Sequence, residues 1–338
     1  MKSSSLTLND IAQKLNVSAV TVSKALRNHP DISSGTKKLV VDTVEEMGYT
    51  PNYMARNLSS KKTNTIGVVV PKIAHFFFGS IIESIYDLAF ENNYEIILMV
   101  SQENKERERK HIETLLAMKV DGIIVSITQE TTEYSVFNKA LQRDIPIVFI
   151  DRIPNLDNVN KVYVDDRGGA FSAIEHAIKI GYKKIAHFAG YDEVNIGLQR
   201  YLGFEDAMKK YEIPINNDWI FKGGFGEKYG YESFMKLYKN NNLPELIFTV
   251  TYPVALGIYR AVNELGLKIP EDIDVICFGD GSEQKYLSPP LSCVDQPTKL
   301  IAQNSMNILL DNINNSDSNE TKSIEIPTQL ILRGTCVR

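Results

Sequence analysis

Cysteine is scarce in this chain, with three in 338 residues. Cys277, Cys293 and Cys336 form an odd, widely spaced set. That excludes a disulfide framework and the paired spacing of a structural zinc site, and leaves the thiols as buried or bystander groups. The five histidines, His29, His75, His111, His176 and His187, show no i, i+4 or other ligand pairing. Neither a metal nor any other cofactor is therefore expected. No apolar run approaches the length of a membrane span, and no charged leader with an apolar stretch precedes the first helix, which predicts a cytoplasmic protein away from the membrane. Catalytic signatures are missing as well. GGFGEKYG, residues 223–230, has the spacing of neither the dinucleotide fingerprint nor the Walker loop, G-x-S-x-G does not occur, and no base can be paired with a nucleophile. No catalytic residue is assigned, and the chain is not expected to be an enzyme. The charge-rich NKERERKH, residues 104–111, reads as the solvated start of a helix whose buried stripe is Ile112, Leu115 and Leu116.

Excess positive charge is also absent overall, since the net charge is −5, but the distribution is uneven. Residues 1–62 hold nine Lys and Arg against five acids, or +4, which leaves −9 for residues 63–338. A basic head on an acidic body suits nucleic-acid binding by the head. Within that head, TLNDIAQKLNVSAVTVSKAL reads as two short amphipathic helices joined by a tight turn. Thr7 caps the first, about 8–15, with Ile11, Ala12 and Leu15 inward. Ser18 caps the second, with Val22, Ala25 and Leu26 inward. Asn16 between them tolerates a left-handed backbone. The outer face of the second helix carries small residues and no acid, which lets it approach DNA closely in the major groove. The alternative at this point is an ordinary helical hairpin with incidental Ser and Thr. A third helix, capped by Ser33 and ending at Gly48, is predicted to bury Leu39, Val40, Val44 and Met47. TPNYMARNLSS, residues 50–60, has Pro51 at a first helical position but is too short to be stable alone, so it reads as a conditional helix.

From residue 65 onward, apolar runs alternate with helical patterns. TIGVVVP, YEIILMV, GIIVSI and PIVFID are separated by helices at about 79–91, 105–118 and 132–142. KVYVDD, KKIAHFAG, a strand near Trp219, ELIFTV and DVICFG are separated by helices at about 168–180, 195–210, 228–239 and 254–264. Continuous apolar runs predict parallel strands buried on both faces, and two such series predict two lobes with a ligand cleft at the carboxyl ends of their strands.

Along essentially its full length the chain resembles a LacI-family transcriptional regulator. The residues that carry the resemblance are TLNDIAQKLNVSAVTVSKAL, GYTPNYMARNLSSKKTNTIGVVVP, VDDRGGAFSAIEHAIKIGYKKIAHFAG, QRYLGF, VALGIYRAVNELGLKIPEDIDVICFGD and SPPLSCVDQP. The resemblance implies an α/β fold with a three-helix helix-turn-helix headpiece (1–50), a hinge helix and linker (51–64), and a two-lobed periplasmic-binding-protein-like domain (65–338). It implies that the chain recrosses between lobes near 164, 294 and 326, giving lobe 1 about 65–163 and 295–326 and lobe 2 about 164–294 and 327–338. It further implies a homodimeric repressor on a near-palindromic double-stranded operator, controlled allosterically by a sugar or nucleoside-like effector. Ala19, Val20 and Lys24 fall where relatives read bases, and Leu58 where an apolar wedge enters the minor groove. Ser18, Thr21, Ser23, Ser33, Thr36, Tyr49, Asn52 and Arg56 fall at backbone-contact positions. Arg27 departs from the Asn common there, which leaves its role open.

For the cleft, the resemblance implies Phe77 and Phe78 as apolar walls, Asp151 as acceptor, Arg200 as donor and Phe225 as a stacking face. Two customary polar anchors are absent. Thr251-Tyr252 stands where relatives show Asn-Asp, and Gly279 stands where many carry a ligand-binding Asp, with Asp280 next. Three readings stay open: Tyr252 and Asp280 substitute, the effector is unusual, or the cleft is vestigial and a partner protein supplies the signal. A solute-binding protein of the same two-lobed fold is opposed by the headpiece.

Overall fold

The computed structural model describes residues 6–49, 62–74, 76–281, 283–315 and 320–338. The conditional helix at 50–60, with Asn52, Arg56 and Leu58, lies outside the described residues, as does His75. The chain divides into two compact units, Met1–Thr63 and Asn64–Arg338.

The first unit contains α1 (Leu8–Leu15), α2 (Ala19–Leu26) and α3 (Ser34–Met47). Thr7 and Asp10 form a reciprocal capping box on α1. Asn16 ends that helix in the left-handed region at φ 51°, a conformation asparagine tolerates better than most residues. The Oγ atoms of Ser18 and Ser33 accept the backbone N–H of Thr21 and Thr36 at 3.1 and 3.2 Å, starting α2 and α3. Ile11, Ala12, Val22, Ala25, Val40 and Val44 form the core. Leu39 does not join it. The leucine is 54% exposed and Thr43 is buried in that stripe instead, its Oγ1 donating to the Leu39 carbonyl at 2.7 Å.

The second unit is built on two six-stranded sheets. The first takes β1 (Thr65–Val70), β2 (Glu95–Val100), β3 (Gly122–Val125), β4 (Ile147–Ile150), β5 (Asn160–Val164) and β11 (Ser323–Ile326), in the all-parallel order β11-β5-β4-β3-β1-β2. The second takes β6 (Ile185–Ala189), β7 (Ile220–Lys222), β8 (Leu246–Thr249), β9 (Asp274–Phe278), β10 (Ser292–Asp295) and β12 (Gln329–Ile331), in the order β12-β10-β9-β8-β6-β7, with only the β10–β12 pair antiparallel. The first series carries α4 (Phe76–Glu91), α5 (Lys105–Met118) and α6 (Ser135–Leu141); the second carries α7 (Asp166–Lys179), α8 (Asn195–Lys210), α9 (Glu227–Lys239) and α10 (Tyr252–Leu265). The chain passes between sheets after β5, after β10 and after β11, and α11 (Thr298–Asn314) returns from the second sheet to pack on β4 and β5 of the first. Lobe 2 depends on close helix contact. A Cβ on Gly230 of α9 would stand 2.0 Å from the Val254 carbonyl oxygen of α10, and one on Gly257 of α10 would stand 2.1 Å from that of Glu227.

Three expectations need correction. YEIILMV is not buried on both faces, because β2 is the edge strand of its sheet and Leu98 is exposed. The helix expected from Gly79 begins at Phe76, and the one expected over 132–142 shortens to Ser135–Leu141. The strand expected near Trp219 is present and begins at the next residue, Ile220, after a single 3₁₀ turn.

Candidate functional site

A cleft collects the loops at the carboxyl ends of the parallel strands. Phe76, Phe77 and Phe78 follow β1, Asp151 and Arg152 follow β4, and Gln296 follows β10. The second sheet, to which β10 belongs, also supplies Phe225 after β7, Thr251 and Tyr252 after β8, and Gly279 and Asp280 after β9; Ile196 and Arg200 project from α8. Strand-end loops are where open α/β sheets bind ligands. The cavity takes about 70 Å³ of water-sized occupancy, room for a handful of waters. Phe77 and Phe78 meet edge to face at 5.1 Å between centroids, and Phe78 also belongs to the core. Phe225 reaches the cleft because residue 190 is glycine. A Cβ there would stand 2.1 Å from the Phe225 ring.

Most charged groups of the cleft are matched within the protein. Arg200 is 1% exposed; its Nε and Nη2 contact Asp166 Oδ1 at 2.8 Å, and its Nη1 donates to the Val250 carbonyl at 2.6 Å. Its guanidinium carbon lies 3.7 Å from the Phe278 ring centroid. Burial pushes the Asp166 carboxyl up to about 7, with Arg200 opposing the shift. Asp280 pairs with Arg333 Nη2 at 2.6 Å, and its Oδ1 accepts the Gly281 N–H. Arg152 pairs with Glu103, whose two oxygens lie 2.9 and 2.8 Å from Nη1. Asp151 is buried, and burial raises its carboxyl while Arg152 and Arg200 lower it. It adopts φ 58°, and its carbonyl accepts from the Asn195 side chain of the facing lobe at 3.0 Å. The same Asn195 amide accepts the Ile153 N–H at 3.1 Å, so one side chain bridges the two lobes. Tyr252, at the start of α10, has its phenol pushed up to about 12 by burial.

The structure therefore brings Phe77, Phe78, Asp151, Arg200, Phe225, Tyr252 and Asp280 to one cleft. It also brings Arg152 and Gln296, which the sequence reading passes over. Both sit immediately after apolar runs, IVFID and SCVD, and a strict strand-end rule would have included them.

In the first unit, Val20 is 64% exposed on α2, with Ala19 partly packed against the core. Lys24 Nζ pairs with Asp31 Oδ2 at 2.8 Å, an exposed contact that a guanine could replace at little cost. Ser18 and Thr21, and Ser33 and Thr36, form two hydroxyl pairs, each at 2.9 Å, at the starts of α2 and α3. Arg27 donates to the Ser23 carbonyl at 3.1 Å.

A family model described as bacterial regulatory proteins, lacI family, matches residues 7–52, and one described as periplasmic binding protein-like domain matches residues 174–336. The HTH-type transcriptional repressor PurR of Histophilus somni is 31% identical over 327 residues, covering 97% of this chain and 98% of the relative. The chain belongs to the LacI family of bacterial regulatory proteins. As a LacI-family member it is a DNA-binding transcriptional repressor with an effector-binding domain. Catabolite control protein A of Priestia megaterium is 30% identical over 329 residues, 97% of this chain and 98% of that one. Among solved structures, the lac repressor dimer bound to operator and the anti-inducer ONPF superposes with a TM-score of 0.86 at 23% identity, covering 99% of this chain and all of that one, a likeness of fold. A LacI family transcriptional regulator from Enterococcus faecium with bound ribose gives a TM-score of 0.70 at 26% identity, covering 80% of this chain and 98% of that one. No helix among the described residues is long and apolar enough to cross a membrane.

Proposed function

We propose that this LacI-family protein is a homodimeric repressor whose hold on a near-palindromic operator is set by a small polyhydroxylated effector in the interlobe cleft. The observation that carries this reading is the meeting, at the strand ends of both sheets, of aromatic faces with charged hydrogen-bonding groups. Aromatic faces stack on the apolar faces of sugar rings, while carboxylate, guanidinium and amide groups bond hydroxyls. The ribose-bound Enterococcus faecium regulator supports that ligand class. Closure of the lobes on the effector changes operator affinity by linkage.

On DNA, α2 lies in the major groove. Lys24 donates to guanine O6 and N7, and Ala19 and Val20 touch thymine methyls. Ser18, Thr21, Ser23, Ser33, Thr36 and Tyr49 hold phosphates, joined by Asn52 and Arg56, and Leu58 from each subunit wedges the minor groove. Exposed Tyr86 and Phe90 on α4 and Leu98 on the β2 edge offer a second copy an apolar face, and pairing two headpieces is what a two-fold operator requires.

Selection from a randomised duplex library, followed by binding at moderate salt, tests the reading. A two-fold consensus is expected, with Leu58→Ala weakening binding to it far more than binding to random DNA. Absence of sequence preference with and without a sugar panel refutes the function, and equal losses on both DNAs refute the wedge.

A further inference from the structure

Cys277 and Cys293 stand side by side in the second sheet. The parallel pairing of β9 with β10 puts them in register, so both side chains leave the same face, and the two thiols lie within hydrogen-bonding reach of each other. Neighbouring strands are about 4.8 Å apart. That spacing falls inside the roughly 4.4–6.8 Å over which disulfide-bonded Cα atoms are found. Cys336, beyond β12, has no place in this register.

Both thiols belong to an apolar cluster, yet polar groups address each sulfur. Arg333 Nη1 donates to Cys293 Sγ at 3.2 Å, while Nη2 of the same guanidinium holds Asp280. The Arg333 side chain is 19% exposed, so a single side chain stands between the Cys293 sulfur and the surface. Cys277 Sγ donates to the Gly279 carbonyl at 3.3 Å, and Gln284 Nε2 donates to the same carbonyl at 2.8 Å. Gly279 adopts φ 90°, and it lines the cleft together with Asp280. Burial pushes the Cys277 thiol well above the usual range, which leaves Cys293, beside the guanidinium, as the attacking sulfur.

We propose that Cys277 and Cys293 are a redox-responsive dithiol, closed to an intrachain disulfide by a hydroperoxide, and that closure changes operator affinity through the Gly279–Asp280 loop. Cys293 Sγ attacks the peroxide; the O–O bond breaks, the alcohol or water leaves with the thiol proton, and a sulfenic acid remains on Cys293. Cys277 Sγ then attacks that sulfur, the S–O bond breaks, and water leaves with the Cys277 proton. Two electrons pass from the dithiol to the peroxide. The disulfide has no S–H, so the Gly279 carbonyl loses a donor, and the Cys293 sulfur is drawn away from the guanidinium that holds Asp280. The effect on DNA rests on the effector-controlled reading above, whereas formation of the bond does not.

Treatment of the full-length protein with hydrogen peroxide, followed by alkylation in denaturant and peptide mapping, tests the bond. Free thiols should fall from three to one, with Cys277 linked to Cys293 and Cys336 free, and dithiothreitol should restore all three. Oxidation should shift affinity for the selected two-fold operator about five- to tenfold, reversibly. Cys277→Ala and Cys293→Ser should each abolish the shift, and Cys336→Ser should keep it. If the first two variants fail to fold, the time courses decide: under dithiothreitol the linked peptide and the affinity shift should disappear together. Absence of the Cys277–Cys293 link, a shift that survives in either variant or outlasts the bond, or a bond that leaves operator affinity unchanged overturns the proposal. Failure to select any preferred DNA sequence is a separate result, which removes the operator reading and the effect on DNA while the peptide map still judges the bond.

Discussion

Glu108 shows how one buried residue ties stability to pH. It is 2% exposed in α5, and its carboxylate accepts the Thr128 N–H at 2.7 Å and the Thr131 hydroxyl at 2.6 Å. Burial, opposed by those two hydrogen bonds, pushes its carboxyl up to about 7, with Glu103 raising and Arg152 lowering it further. An acid whose folded value lies above its unfolded one favours the folded state when protonated. Its contribution is therefore complete below about 4.5 and is lost as pH rises through about 7. Glu108→Gln can still accept from Thr128 and can donate to the Thr131 oxygen without a charge to desolvate. We expect it to stabilise the protein at pH 8 by about 2–4 kcal/mol and to have little effect at pH 4.5, measured by urea unfolding at the two values. A variant less stable at pH 8 would show that the carboxylate is favoured where it stands.

Among the elements, the turn between α1 and α2 sets the angle at which the second helix is presented. Asn16 holds φ 51° and its N–H bonds back to the end of α1. Alanine in that conformation is strained, so Asn16→Ala should cost the headpiece about 1 kcal/mol, whereas Asn16→Gly should cost less. Urea unfolding followed through headpiece amides, together with operator affinity, separates the two; equal effects of alanine and glycine would remove the backbone explanation. The same local rules made Ser18, Ser33 and Gly48 legible as helix ends. They miss α11, where Pro297 stands at the cap position with no capping side chain and no acid occupies the first turn.

As a whole, the molecule keeps separate cores in its two units: six buried residues support the headpiece, while larger apolar clusters fill the two-sheet body. Calorimetry should resolve two transitions, the headpiece melting first because its apolar core is smaller. Operator duplex should raise the first transition by mass action, and a stabilising sugar the second. A single transition that moves as one with either ligand would show that the units unfold as one cooperative body.

The sequence by itself determined the helix-turn-helix, the alternation of strands and helices and the strand ends that line the cleft, because caps, periodicity and apolar runs are local signals read within one or two turns of chain. Only tertiary structure decided which charges in the cleft are already matched. Arg333 meets Asp280 across 53 residues and Arg152 meets Glu103 across 49, and no periodicity encodes such pairs. It also decided that EIILMV is an edge strand, since strand order depends on which elements pack together rather than on the run itself.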